Sequence, residues 1–282
     1  MKLRIWGCRG SIASPGPDTL RYGGNTTCLE LTLSDGTVIV LDAGSGIRTL
    51  GEKLAAEGVE DVNLLLTHLH LDHLEGLPFF QPMWQPGTRV NVWGPQSPVR
   101  GLEENIARYM SPPLFPVQLS EVPAQCRFHN VPEQQWEIGP ATVYALPVEH
   151  PGPTVGYRIE ADGFTLAFIP DHEPVLGGDL TGLPTDWISG YCLAVDADLL
   201  FHDAQYSAAE YSAHIGWGHS SLQTAVSFTR TTGARKLVMF HHDPGHTDDQ
   251  LEEMVAEAGE IWDGEADHRP ILAAEGMEMN LG

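Results

Sequence analysis

Residues 67–73 read THLHLDH, which places His68, His70, Asp72 and His73 within six consecutive positions. Three imidazoles and a carboxylate contribute no packing that leucine would not, and burying them costs solvation. Three satisfied or exposed histidines would account for the residues but not for their spacing. What the group offers is lone pairs. Imidazole nitrogen suits zinc, iron or manganese, and a carboxylate beside it can ligate a second ion or take a proton. The cluster follows Val62, Leu64, Leu65 and Leu66, an apolar run that reads as a buried strand. It therefore lies just past a strand's carboxyl end, where α/β proteins place their sites.

The elements around it alternate. Residues 2–7 read as a first strand, and residues 27–33 and 36–42 as two more joined by a Ser34-Asp35-Gly36 turn, ending at Asp42. Ile47, Leu50, Leu54 and Ala55 have helical spacing across residues 45–58. A strand follows at 90–93 and a helix near 97–110, after which the proline-rich stretch 112–116 breaks any regular element. Strands at 141–147, 154–160 and 163–169 lead towards His150 and Asp171. A strand at 197–202, a helix from Ser220, a strand at 236–240 ending at His241 and His242, and a helix from Thr247 complete a second αβ set. Ser220 and Gln223 have capping-box spacing, so His219 is expected directly before a helix N-terminus, where free amides favour anions. The glycine- and proline-rich loop 7–25 carries Arg9, Arg21 and Asn25 and could wrap a ligand's mouth. Phe79, Phe80, Met83 and Trp84 supply apolar bulk for either a substrate pocket or the core.

Composition bounds the partners. A chain of 282 residues buries a large core in one or two domains. Fifteen basic against 38 acidic residues give a formal charge of −23, which argues against a broad electrostatic footprint for polymeric nucleic acid. Small anions stay within reach, because two divalent ions and a few arginines make a local positive site inside an acidic shell. Cys8, Cys28, Cys126 and Cys192 are scattered with no CxxC pair, so a reduced, cytoplasmic setting is expected. Residues 1–6 run straight into turn residues without a signal peptide's apolar core, and no window reaches membrane-spanning length, so no membrane partner is expected. A homo-oligomer is compatible with all of this.

On these motifs the chain resembles the metallo-β-lactamase fold metallohydrolases. The Pro147-Val148-Glu149-His150-Pro151-Gly152 and Phe168-Ile169-Pro170-Asp171 contexts, with Gly216-Trp217-Gly218-His219-Ser220 and Phe201-His202-Asp203-Ala204, narrow this to the ribonuclease Z and cyclic phosphodiesterase branch. The resemblance implies an α/β fold, a four-layer αββα sandwich of two similar halves, with residues 1–282 forming one hydrolase domain. It also implies two divalent metal ions, zinc first and manganese or iron(II) as alternatives. His68, His70 and His150 would bind one ion, Asp72 and His73 the other, with Asp171 bridging. His241, three positions before Pro244, completes the set in preference to the adjacent His242. Asp42 would support the ligands, as would His202 and Asp203. His219 would contact the scissile phosphate or assist the leaving oxygen. His129, His214 and His246 match no motif and read as ordinary histidines; His172 adjoins the bridging position.

The expected activity is that of a metal-dependent hydrolase. Metal-held hydroxide would attack phosphorus in line while Asp72 relays a proton. His150 and Asp171 are only 21 positions apart, too few for the RNA-binding arm that ribonuclease Z carries there. A phosphodiesterase for small or cyclic phosphodiesters is therefore expected, with a small-molecule substrate and no polymeric nucleic acid. The alternatives are a lactone or thioester hydrolase on the same metals, and a non-catalytic metal-retaining binding or regulatory protein.

Overall fold

A computed structural model describes residues 1–131 and 135–282. The first half runs β1 (Lys2–Gly7), β2 (Cys28–Thr32), β3 (Val38–Leu41), α1 (Ile47–Ala56), β4 (Asp61–Leu65), β5 (Arg89–Gly94), α2 (Leu102–Tyr109) and β6 (Gln125–Asn130). The second runs β7 (Trp136–Ile138), β8 (Ala141–Pro147), β9 (Val155–Ala161), β10 (Phe164–Ile169), α3 (Tyr191–Ala194), β11 (Leu199–Asp203), α4 (Ala208–Tyr211), α5 (Leu222–Thr232), β12 (Leu237–Phe240), α6 (Asp248–Ile261), β13 (Ile271–Leu272) and β14 (Glu278–Asn280).

These strands form two seven-stranded sheets, ordered β14-β1-β2-β3-β4-β5-β6 and β13-β12-β11-β10-β9-β8-β7. Each sheet is antiparallel in one half and parallel in the other: β3 to β6 are parallel in the first, β10 to β13 in the second. Parallel strands deliver their carboxyl ends to the same edge of a sheet, which is how sequence-distant residues come to share one site.

Side-chain alternation builds the layers. Along β10, Leu166 and Phe168 point into the space between the sheets, while Ala167 and Ile169 point out against the helices. Both faces of that strand are buried, so it reads as a continuous apolar run. Phe168, Phe201 and Phe240, on three adjacent parallel strands, meet at 5.7–6.3 Å in the central layer, Phe240 edge to face with both others and Phe168 tilted against Phe201. Outside the first sheet, Ile47, Leu50 and Leu54 of α1 and Leu102 and Ile106 of α2 cover Val40, Leu64 and Val92. Outside the second, Leu193, Leu222, Phe228 and Leu251 cover Ile169, Leu200 and Met239. The result is the expected four-layer αββα sandwich. The sheets are tied at the functional edge, where Tyr157 Oη donates to the Leu66 carbonyl at 2.6 Å and the Val155 amide to that of Thr67 at 2.9 Å.

Four strands have no counterpart in the sequence reading: β6, β7, β13 and β14. β13 and β14 are two and three residues long, and β6 spells QCRFHN without clean alternation, so periodicity carries little signal for them. All four cysteines are free. Among the described residues no helix is long and apolar enough to cross a membrane.

Candidate metal centre

The carboxyl-terminal edges of both sheets converge on one cluster. The turn after β4 carries His68, His70, Asp72 and His73; the β8–β9 connection brings His150; the residues past β10 and β12 bring Asp171 and His241. The ligand-type atoms of His68, His70 and His150 lie within 4.8 Å of one another, as do those of Asp72, His73, Asp171 and His241. Asp171 stands between the two groups. Its Oδ1 is 3.8 Å from both His68 Nε2 and His150 Nε2 and 3.2 Å from His241 Nε2, while its Oδ2 is 3.0 Å from His73 Nε2. His242 faces away, its Nε2 on the Ala273 carbonyl at 2.9 Å.

Four of the five imidazoles are aimed by the nitrogen that faces away from the cluster. His73 Nδ1 donates to Asp42 at 2.8 Å, His150 Nδ1 to the Gly218 carbonyl at 2.8 Å and His241 Nδ1 to Gln205 Oε1 at 2.9 Å. Thr67 Oγ1 gives its proton to Asp42 and so accepts from His68 Nδ1 at 3.1 Å. With each Nδ1 holding the proton, each Nε2 keeps its lone pair for the centre. His70 is the exception, presenting Nδ1 at 3.2 Å from His150 Nε2.

The cluster fits a metal on its own chemistry. His68 Nε2, His73 Nε2 and Asp171 Oδ2 are buried and lack hydrogen-bond partners, although such groups are ordinarily satisfied. Burial alone would raise the Asp171 carboxyl, but the charges of His241, His73 and His68 hold it well below the usual range. Burial pushes His68 down, helped by His73 and His150. Buried carboxylate oxygens and imidazole nitrogens facing inward are a divalent cation's ligand set, the cation taking the place of the imidazole protons. His241 takes a positive φ of 59°, a conformation costing a non-glycine residue roughly 1 kcal/mol or more. A side chain on Gly10 would lie 2.3 Å from the His241 ring, so this ligand is wedged in place.

Beside Asp171, His219 Nδ1 donates to Asp203 Oδ2 at 2.7 Å, and its ring stacks on His241 at 5.0 Å. Burial opposes charge on His219, yet Asp203 outweighs it and lifts the imidazole to about 9. Asp203 is thus a partner of His219. His202, on the opposite face of β11, instead meets His172 Nδ1 at 2.8 Å behind the site. The helix after His219 is capped by Ser221, whose Oγ accepts from the Thr224 amide at 3.1 Å, rather than by Ser220. The Ser220 amide serves Asp203 at 2.9 Å and the Leu222 amide the Tyr206 carbonyl at 2.9 Å.

Sequence reasoning missed Glu173, which is fully buried. Its carboxylate accepts from Tyr211 Oη at 2.7 Å, the Gly216 amide at 2.9 Å and the Gly218 amide at 3.0 Å. Gly218 in turn receives His150 and precedes His219, at a φ of 82° that favours glycine. A carboxylate two residues past Asp171 was the available signal. Replacing Glu173 with alanine orphans three donors, each worth about 1–3 kcal/mol. A lower melting temperature is expected, with 10- to 100-fold weaker metal binding because His150 loses its support. Unchanged binding in a calorimetric metal titration would remove Glu173 from this role.

The loop 7–25 contributes differently from expectation. Arg9 is buried and donates to the carbonyls of Gly23, Asp243 and His246 at 2.7–3.1 Å. Arg21 pairs with Asp249 and Glu252, and Asn25 donates to Glu275 at 3.0 Å. None of the three faces the cluster; instead the Ser11 amide donates to Asp72 Oδ2 at 2.7 Å. Phe80 and Met83 are core residues under α1, while Phe79 and Trp84 pack on Phe115. His129 stacks on Trp93, His214 on Tyr206, and His246 bonds Glu210.

Residues 37–242 match the model of the Beta-lactamase superfamily domain. A ribonuclease Z of Haloarcula marismortui is 26% identical over 324 residues, covering 100% of this chain and 97% of that protein. The metallo-beta-lactamase fold protein YhfI from Bacillus subtilis superposes with a TM-score of 0.71 at 18% identity, over 100% of this chain and 98% of that one. The short form of human tRNase Z superposes with a TM-score of 0.66 at 22% identity, over 100% of both chains. The expectation that polymeric nucleic acid is no partner is corrected by these matches: a relative named for ribonuclease activity aligns with the whole chain. Net charge sums the entire surface, whereas a substrate meets the local field of the site.

Proposed function

The chain belongs to the beta-lactamase superfamily, and from that premise we propose that this metal-dependent hydrolase is a phosphodiesterase whose substrates include small and cyclic phosphodiesters. The observation that carries the reading is the Asp203–His219 pair set against Asp171, a positioned proton donor beside the metal cluster. We read residues 1–282 as one domain, because β14 completes the sheet that β1 begins.

His68, His70 and His150 would hold one divalent ion, Asp72, His73 and His241 the other, with Asp171 shared. Imidazole and carboxylate donors in this proportion favour zinc, with manganese and iron(II) as alternatives. When bound, such a pair of ions supplies a water of lowered pKa and positive charge facing the phosphoryl oxygens. The protein's own residues do the rest. Asp42, Gln205, Thr67 and the Gly218 carbonyl keep four rings in the tautomer that leaves Nε2 free. Ser11 holds one oxygen of Asp72, leaving the other to take a proton. Asp203 accepts from His219 Nδ1 and favours the imidazolium, whose second proton, on Nε2, is the one offered to a phosphoryl or leaving oxygen.

The test is turnover by metal-replete protein of bis(p-nitrophenyl) phosphate, cyclic nucleotides, an RNA with a 3′ extension, and a lactone. Hydrolysis of phosphodiesters but not the lactone is expected. Lactone turnover alone would replace the phosphodiesterase reading with a carboxylic ester hydrolase on the same residues.

A further inference from the structure

Beside the metal cluster lies a cavity of about 440 Å³ that shares Leu69, His70 and Leu71 with the cluster's mouth. Small-ligand sites span about 300–1,000 Å³, so this space suits a substrate fragment. Most of its wall is apolar, from Leu74, Leu114, Pro95, Pro151 and Pro153. The polar groups are few. Tyr109 spends its hydroxyl on the Glu75 carbonyl at 3.0 Å and Ser97 its hydroxyl on the Arg100 carbonyl at 3.1 Å, which leaves the side chains of Asn105 and Arg108 for a ligand.

Arg108 is unusual in this chain. Nine of the twelve arginines lie within 4.0 Å of a carboxylate. Arg108 is exposed, lines the cavity and has no such partner among the described residues, in a protein of formal charge −23. An unclaimed guanidinium presents a planar fork of donors that matches a phosphate two bonds at a time. The apolar walls suit the flat faces of a nucleobase, and the Asn105 amide offers both a donor and an acceptor to its edge.

We propose that this cavity binds the nucleoside beside the scissile bond and that Arg108 pairs with a second phosphate on that nucleoside. The inference rests on the phosphodiesterase reading above. An RNA chain and a free bisphosphorylated nucleotide both carry this unit.

The test compares adenosine 3′,5′-bisphosphate with adenosine 5′- and 3′-monophosphates by calorimetry on metal-loaded protein. None of the three contains a diester, so binding is read without turnover. The bisphosphate is expected to bind about tenfold tighter than either monophosphate, a ratio near one in Arg108→Ala and intermediate in Arg108→Lys, whose point charge lacks the fork. A trinucleotide RNA that loses the same factor in Arg108→Ala assigns the unit to a polymer; an effect confined to the bisphosphate assigns it to a free nucleotide. A wild-type ratio near one, or a ratio that survives Arg108→Ala, overturns the proposal. Absence of all phosphodiester turnover beside an intact Arg108-dependent ratio would instead sink the phosphodiesterase reading and leave the subsite standing.

Discussion

Alanine at Asp171 is expected to leave fewer than about one ion per chain and to lower kcat/KM on bis(p-nitrophenyl) phosphate at least about 1,000-fold, roughly 4 kcal/mol of transition-state stabilisation. The reason is position. Asp171 approaches His68, His150, His241 and His73 at 3.0–3.8 Å and, among the described residues, is the carboxylate that reaches from one group to the other. Without it, His68, His70 and His150 face one another with no carboxylate beside them, and Asp72, 3.1 Å from His241 and 3.3 Å from His73, is the carboxylate left in the cluster. Asp171→Asn keeps the volume and removes the charge, so it should fail nearly as badly. Elemental analysis of the purified variants, run with the kinetics, checks this. Two retained ions with normal turnover would show that Asp171 does not bridge.

His219→Ala should behave in the opposite way with respect to metal. Loss of a positioned proton donor costs about 100-fold or more in kcat. Both ions should remain, because His219 Nδ1 is engaged by Asp203 at 2.7 Å and stands 3.9 Å from Asp171. Asp203→Asn should reproduce much of the kcat loss by releasing the ring. The competing outcome is distinct: the His219, His150 and Asp171 ligand atoms also lie within 4.8 Å of one another, so loss of an ion in His219→Ala would make it a ligand. Unaltered kcat with full metal would remove it from the chemistry.

The sandwich and the residues that converge on its edge were legible because strong local signals coincide there. The strand–HxHxDH junction announces itself within twelve residues, and the runs before Asp171 and His241 are apolar enough to read as parallel core strands. Residues acting through a neighbour carry no such signal. Gln205 reaches His241 across 36 positions, Ser11 reaches Asp72 through a backbone amide, and Glu173 acts on a loop 43 positions away. An amide contact is independent of side-chain identity, so no residue type could betray Ser11. The helix cap was misplaced by one residue because Ser220 and Ser221 are chemically equivalent; Asp203 and the His172 carbonyl decide between them by engaging Ser220. The cavity wall drew on Leu114 from the proline-rich stretch, whereas the neighbouring aromatic cluster went to packing.

The Ser11–Asp72–His241 arrangement bears on how the protein is made. Ser11 and Asp72 are 61 positions apart and Asp72 and His241 another 169, while β1 pairs with β14 some 274 positions away. Contacts of such sequence separation carry a large loop-closure cost and form late, so folding should be slow and highly cooperative. During synthesis the early strands emerge long before their partners, and β1 would spend that interval with an open hydrogen-bonding edge. The early histidine turn cannot acquire its complete set of neighbours until residue 241 has cleared the ribosome, so full metal capture is a post-translational event that rewards only finished, folded chains.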